Sequence, residues 1–247
     1  MRRTAAGLAE AQSFDRVAAD LDRLAELNRD RDDLITRWLV GLLPASGRHA
    51  IDLGCGLGRH AVLLAGRFEQ VDAIDLSGPM IELARARRQR PNITYLHGDL
   101  QHAGQAGHYD LVLSVRTLHH VPDLRVALSH LKSLLAPGGR LLVMDSYPAG
   151  ADLSRARRLV HRAVPLRPRL HALAGQALAR NLVRRGPVTA WQIYRLTTRP
   201  AWLDHRVSDR FFSREELDRC CGELFPGYRL DVLGGPRGIG LVWDFSS

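Results

Sequence analysis

The chain has 247 residues, a formal net charge of +9, three cysteines and 45% hydrophobic residues. That length buries a substantial core, most simply as one domain with an elaboration, and no apolar run is long enough to span a bilayer. Glu10, Asp15 and Arg16 follow the Met1-Arg2-Arg3 start too closely for a secretion signal; with cysteines that lack metal or disulfide spacing, the expectation is a cytoplasmic protein.

From Phe14 to Leu43, apolar residues recur at helical spacing (Leu21, Leu24, Leu27, then Leu34, Ile35, Trp38, Leu39, Leu42), which predicts two helices broken near Asn28-Arg29-Asp30 and ending at Pro44. Short apolar runs then alternate with helical patterns. Strands are expected at His49–Leu53, Val71–Asp75, Ile93–His97, Leu111–Ser114 and Arg140–Asp145, with helices at Leu57–Arg67, Gly78–Arg88 and Leu124–Leu135. This alternation implies a parallel sheet with ligands at the carboxyl ends of its strands. The stretch from Ala151 to Arg199 interrupts the pattern with helically spaced leucines punctuated by Pro165, Pro168 and Pro187. It holds eleven arginines and one acid, Asp152, so this one segment outweighs the net charge of the whole chain. Lys132 is the only lysine, so some of these arginines stand where any solvent-facing cation would do. A helix over Ser213–Leu224, capped by Ser213 with Glu216 three residues on, precedes two strands, Tyr228–Leu233 and Gly240–Phe245.

The most informative stretch is Ile51-Asp52-Leu53-Gly54-Cys55-Gly56-Leu57-Gly58-Arg59-His60. A buried strand breaks into three alternate glycines before a helix begins, an arrangement that sets a ligand against bare backbone. Glycine is required there because a Cβ would block the ligand or because the turn demands positive φ. The spacing is G-x-G-x-G, not the G-x-G-x-x-G of pyrophosphate binders. The preceding acid, Asp52, would repel a pyrophosphate but suits an ammonium group. A zwitterionic or cationic cofactor is favoured over a dinucleotide.

Asp52 to Gly58 resembles motif I of the class I S-adenosylmethionine-dependent methyltransferases. Val71–Ser77, Asn92–Leu100, Tyr109–Val115 and Leu134–Arg140 resemble the family's later motifs in order and spacing. The resemblance implies a Rossmann-like α/β fold: a seven-stranded, mostly parallel sheet with an antiparallel last strand, an N-terminal helical lid and a helical insertion after the fifth strand. The corresponding segments are a lid over 1–44, a cofactor-binding core over 45–150, an Arg-rich cap over 151–210 and the end of the core over 211–247. It also implies S-adenosylmethionine as cofactor, S-adenosylhomocysteine as product, and no metal. By the same resemblance Asp52, Gly54, Cys55, Gly56, Gly58 and Arg59 form the cofactor turn, and Asp75 with Leu76 takes the ribose hydroxyls. Gly98, Asp99 and Leu100 meet the adenine, Ser114 and Val115 close the pocket at the fourth strand, and Asn28 or Arg31 approaches the methionine carboxylate. Met80 either packs on the adenine or fills the core. Cys55 is as well explained as a small space-filling side chain.

Methyl transfer from a sulfonium is an in-line displacement, so positioning and water exclusion matter more than catalytic groups. The candidate bases are His119 and His120 in Arg116-Thr117-Leu118-His119-His120-Val121, just past the fourth strand; the alternative is that one of them caps or braces that loop. Arg116 can meet an anionic substrate group or pair with Asp123. Tyr147 is a candidate for the acceptor site, and Trp191, with Tyr194 and Trp202, is either an aromatic substrate wall or cap packing. Ser114-Val115-Arg116-Thr117 is not the Asn/Asp-Pro-Pro-Tyr sequence used on exocyclic amines of bases. No Pro-Cys nucleophile is present, nor an appended RNA-binding module. The expected activity is methyl transfer to an O or N atom of a small-molecule acceptor, suited to secondary metabolism. Three alternatives stay open: an RNA methyltransferase gripping phosphates with the basic insertion, a lipid or quinone methyltransferase at a membrane surface, and a protein that binds the cofactor without turning it over.

Overall fold

The strand expected at His49–Leu53 forms as β1 (Gly47–Leu53), and the alternation downstream follows as α3 (Arg59–Ala65), β2 (Phe68–Asp75), α4 (Gly78–Arg88), β3 (Ile93–His97), β4 (Tyr109–Val115), α5 (Leu124–Leu134) and β5 (Leu135–Ser146). Two helices, α1 (Ala5–Leu27) and α2 (Arg29–Leu42), precede it. After β5 come α6 (Leu166–Arg185), α7 (Pro187–Thr197), α8 (Pro200–Val207), α9 (Arg214–Leu224), β6 (Arg229–Leu233) and β7 (Gly238–Asp244). The computed structural model describes residues 5–27, 29–146, 166–207, 212–233 and 238–245. Helix starts obey local chemistry. Ser77 accepts from the Met80 amide with Pro79 in the first turn, Asp123 accepts from Val126, and Ser213 accepts from Glu216 as its capping box predicts.

The chain divides into two compact units, one formed by Met1–Asp32 and Ala149–Asp209, the other by Asp33–Pro148 and Arg210–Ser247. The second is the α/β core. Its seven strands lie in the order β3-β2-β1-β4-β5-β7-β6. The first five pair in parallel, and β7 runs antiparallel to both β5 and β6. Successive residues point to opposite faces, so the strands feed two apolar layers. Ala50, Leu111, Leu113, Leu142 and Val242 join Leu39, Leu64 and Ile81 in one layer. Ile51, Leu53, Val112, Leu141, Leu241 and Trp243 join Leu128, Leu131 and Phe225 in the other. Covered on both faces, the strands can be apolar almost throughout, as the sequence runs are. Lys132 is held at the edge of the second layer, donating to the Leu224 carbonyl at the end of α9 and lying over the Trp243 ring.

The helical unit is described by α1, α6, α7 and α8. Arg199 pairs with Asp20 of α1, Arg185 donates to the Leu27 carbonyl, and His205 of α8 contacts Ser13 Oγ at 3.1 Å and the edge of the Phe14 ring.

One close packing in the core was invisible to periodicity. Trp38 of α2 donates from Nε1 to Asp231 of β6 at 2.8 Å, which fixes its ring over Gly240 of β7; a Cβ there would lie 2.4 Å from the Trp38 ring. Gly240→Ala should therefore cost about 1–3 kcal/mol of stability in urea unfolding. The cost should largely vanish in a Trp38→Leu background, because the two changes share one contact.

Candidate active site at the carboxyl edge of the sheet

In this strand order the chain runs outward from β1 through β2 to β3, then returns to the other side of β1 as β4 and β5. The reversal opens a crevice at the carboxyl ends of β1 and β4, where open α/β sheets bind ligands. The parallel register, with Leu53 beside Ile74, Asp75 beside His97 and Ser114 beside Val143, brings the ends of β1 to β5 to one edge. The turn after β1 is tied to β2 by the amides of Gly54 and Cys55, both donating to the Ile74 carbonyl.

The three glycines of this turn all have positive φ, 76°, 50° and 75° at Gly54, Gly56 and Gly58, but their surroundings differ. A Cβ on Gly54 would strike Thr117, and one on Gly58 would strike Tyr95. A Cβ on Gly56 would meet nothing within 4 Å. Two of the glycines thus admit the protein's own side chains, and only Gly56 faces open space.

Two acids lie near this turn. Asp75 receives the Gly56 amide at 2.7 Å on one oxygen and the Ser77 amide at 2.9 Å on the other. Burial raises its pKa despite these donors. Asp52 is fully buried, and neither of its oxygens has a hydrogen-bond partner among the described residues. Burial pushes its carboxyl from an ordinary 3.8 up to about 7, with Asp75 adding to the push and the dipole of the nearby Ala61 amide, which does not meet hydrogen-bond geometry, opposing it. A buried polar group without a partner is rare and costly. Cys55 is also buried, and burial with the two neighbouring acids drives its thiol well above the usual range, so it is inert as a nucleophile.

Further along the edge, Gly98 donates to the Asp75 carbonyl and Asp99 accepts from the Gln101 amide at 2.9 Å. Leu76, Gly98, Asp99 and Leu100 are all half-buried. Met80 is buried yet belongs to neither apolar layer. Ser114 is fully buried, donating to the Leu53 carbonyl at 3.1 Å and tying β4 to β1; Val115 is buried beside it. Arg59 opens α3. The next residue, His60, is lowered to about 4 by burial and by the Arg116 and Arg59 charges, so it is neutral near neutral pH.

The loop after β4 carries both candidate bases. Arg116 adopts a left-handed backbone, φ 56°, and is the one non-glycine to do so among the described residues; its side chain is exposed. A short helical turn, Leu118–His120, follows. His119 is buried, its Nδ1 2.6 Å from Asp145 Oδ1, while its backbone amide donates to Asp145 Oδ2 at 3.0 Å. The double contact fixes the ring and makes Nδ1 the donor, leaving Nε2 as the acceptor nitrogen. The ring of half-buried His120 lies 3.9 Å away, centroid to centroid.

Asp145 is the residue that the sequence did not single out. Its signal was present: like Asp52 and Asp75, it is an acid closing an apolar strand at the ligand-binding edge. Trp191 belongs to the helical unit, where it is half-exposed and stacks on Tyr194. Tyr147, Asn28 and the side chain of Arg31 lie outside the described residues.

An α/β sheet of this order, with a glycine turn at its switch point and acids near the ends of β1, β2 and β5, defines a Rossmann-like fold. Residues 51–143 match the family described as a methyltransferase domain. An uncharacterized methyltransferase of Mycobacterium tuberculosis is 39% identical over 108 residues, 43% of this chain and 54% of that protein. An O-methyltransferase of Penicillium expansum is 35% identical over 121 residues, 46% of this chain and 44% of the other. The chain spans about half the length of the curated relatives it matches. A solved SAM-dependent methyltransferase of Thermotoga maritima shares the fold over 95% of this chain and 99% of its own, with a TM-score of 0.61 at 20% identity. Residues 51–143 are thus similar to a methyltransferase domain, and the chain shares the fold of a solved SAM-dependent methyltransferase.

The unpartnered acid has a measurable consequence. A carboxyl whose pKa is higher folded than unfolded binds more protons in the native state, so its contribution falls as pH rises from about 4 towards 7. Asp52→Asn should flatten that decline and raise the stability of the ligand-free protein at pH 8 by roughly 1–3 kcal/mol, read from denaturant unfolding across the range. An unchanged pH profile would contradict the assigned environment.

Proposed function

We propose that this protein transfers a methyl group from S-adenosylmethionine to an oxygen or nitrogen atom of a small-molecule acceptor, with S-adenosylhomocysteine as the product. The observation that carries the reading is the Asp52 carboxylate, buried without a hydrogen-bond partner among the described residues, four positions before Gly56, where the turn faces open space. An ammonium group arriving there would supply the charge the acid lacks. Asp75, anchored by two backbone amides, keeps lone pairs to accept from a ribose diol. In this reading Asp99, Leu100 and Met80 take the adenine, and Leu76 and Val115 line the walls of the pocket. The turn of Gly54, Cys55, Gly56, Gly58 and Arg59 holds the methionine portion. These residues fit the cofactor in charge and in space.

When bound, the cofactor supplies an electrophilic methyl group on a sulfonium whose leaving sulfur keeps the bonding pair. The protein's part is to align the acceptor, exclude water and remove the acceptor's proton. His119 receives that proton at Nε2, and Asp145 stabilises the resulting imidazolium through Nδ1–H. Exposed Arg116 meets an anionic group on the acceptor. The O-methyltransferase among the relatives is consistent with an oxygen acceptor.

Calorimetric titration with S-adenosylmethionine and with S-adenosylhomocysteine is the direct test, and micromolar binding of both is expected. Asp75→Ala should weaken both by 10- to 100-fold, about what hydrogen bonds to a buried charge contribute. If neither ligand binds the unaltered protein, the reading falls. His119→Ala should bind the cofactor with nearly unchanged affinity. Release of S-adenosylhomocysteine over a panel of phenols, carboxylic acids and amines should drop by about 100-fold or more, with the acidic limb of the pH profile removed. Full activity in that variant would exclude His119 as the base.

A further inference from the structure

The two most exposed large apolar side chains among the described residues are Val183 and Val188, at 89% and 70%. They flank Gly186, whose φ of 77° turns the chain from α6 into α7. Leu182 and Trp191 are also exposed near this tip, and Trp191 stacks on Tyr194. A helix of a soluble domain ordinarily turns such residues inward. Here the inward positions are taken by Ala174, Ala190, Ile193 and Leu196, all buried, so the exposed set is a second apolar surface on the same hairpin.

The charge beside it is of one sign. Over α6 and α7 there are six arginines and no acid, whereas α1 in the same unit carries five acids and two arginines. Arg180, Arg184 and Arg195 make no ion pair or hydrogen bond among the described residues. We propose that the α6–α7 hairpin tip docks on the surface of an anionic lipid bilayer, with its valines and Trp191 entering the headgroup–acyl boundary and its arginines lying among the lipid phosphates.

The mixture of groups selects this partner. Aliphatic side chains beside cations and an indole are what interfacial helices present to a bilayer. Two protruding valines have no role against phosphate or base. A second copy would bring arginines against arginines across a two-fold contact. No helix among the described residues is long and apolar enough to cross a membrane, so the contact proposed is one of lying on the surface. The inference is independent of the catalytic reading.

The test is co-sedimentation of the full chain with vesicles of phosphatidylcholine alone and of phosphatidylcholine mixed with phosphatidylglycerol. Partition onto the anionic vesicles should exceed that onto neutral ones by about tenfold or more and weaken with added salt. Val183→Asp with Val188→Asp should lower it by about tenfold or more. Arg180→Gln, Arg184→Gln and Arg195→Gln should lower it by roughly fivefold per charge removed. These positions are exposed, so thermal midpoints should be unaltered, confirming that the variants are folded. Equal binding to both vesicle types, or none to either, would overturn the proposal. So would anionic binding that survives both aspartates but is competed away by single-stranded RNA, which would make the face a polyanion site.

Discussion

The core is built around an acid held in a place where acids are not stable. Asp52 sits one residue before the end of β1, between β2 and β4, where the register puts Ala73 on one side and Leu113 on the other. Its neighbours in sequence, Ile51 and Leu53, both turn into one apolar layer, so alternation turns Asp52 toward the other. The backbone amides nearest the turn are already engaged. Those of Gly54 and Cys55 serve the Ile74 carbonyl, and that of Gly56 serves Asp75. The fold thus satisfies one carboxylate with its glycine turn and leaves the other buried without a hydrogen-bond partner among the described residues, at a cost in stability.

The acid near the end of β5 is held in the opposite way. Asp145 closes β5 as Asp52 closes β1, yet its carboxylate is engaged on both oxygens by one residue, through backbone and ring of His119. That engagement ties the loop after β4 to the end of β5 and fixes the orientation of the imidazole ring. The left-handed backbone of Arg116 lies at the start of the same loop, its amide donating to the Met144 carbonyl. Strain of this kind persists where surrounding contacts over-determine the chain, and here the contacts come from β5.

Much of this was legible in the sequence. Strand runs and the helix cap at Ser213 depend on neighbours within a few residues, and they formed where expected; the expected break near Asn28 lies outside the described residues. The first helix begins at Ala5, well before the Phe14 where its apolar spacing becomes regular, because Ala, Glu and Leu propagate a helix without a packing face to mark it. The fifth strand begins at Leu135, ahead of the expected Arg140; the pairing of Tyr109 with Leu135 is followed by a register shift, which the periodic pattern could not reveal.

The sequence by itself determined the order of elements, the covered faces of the sheet and the glycine turn with its preceding acid, because each depends on spacing along the chain. Only the tertiary structure decided which glycine borders open space, since that depends on Thr117 and Tyr95 arriving from distant strands. It likewise decided that Ser114 bonds the Leu53 carbonyl, and that Asp52 is left without a partner while Asp75 gains two. It brought Asp145 to His119 across 26 positions of sequence. Hydrogen bonding and desolvation at such sites are set by what lies within a few ångströms, and periodicity carries no record of it.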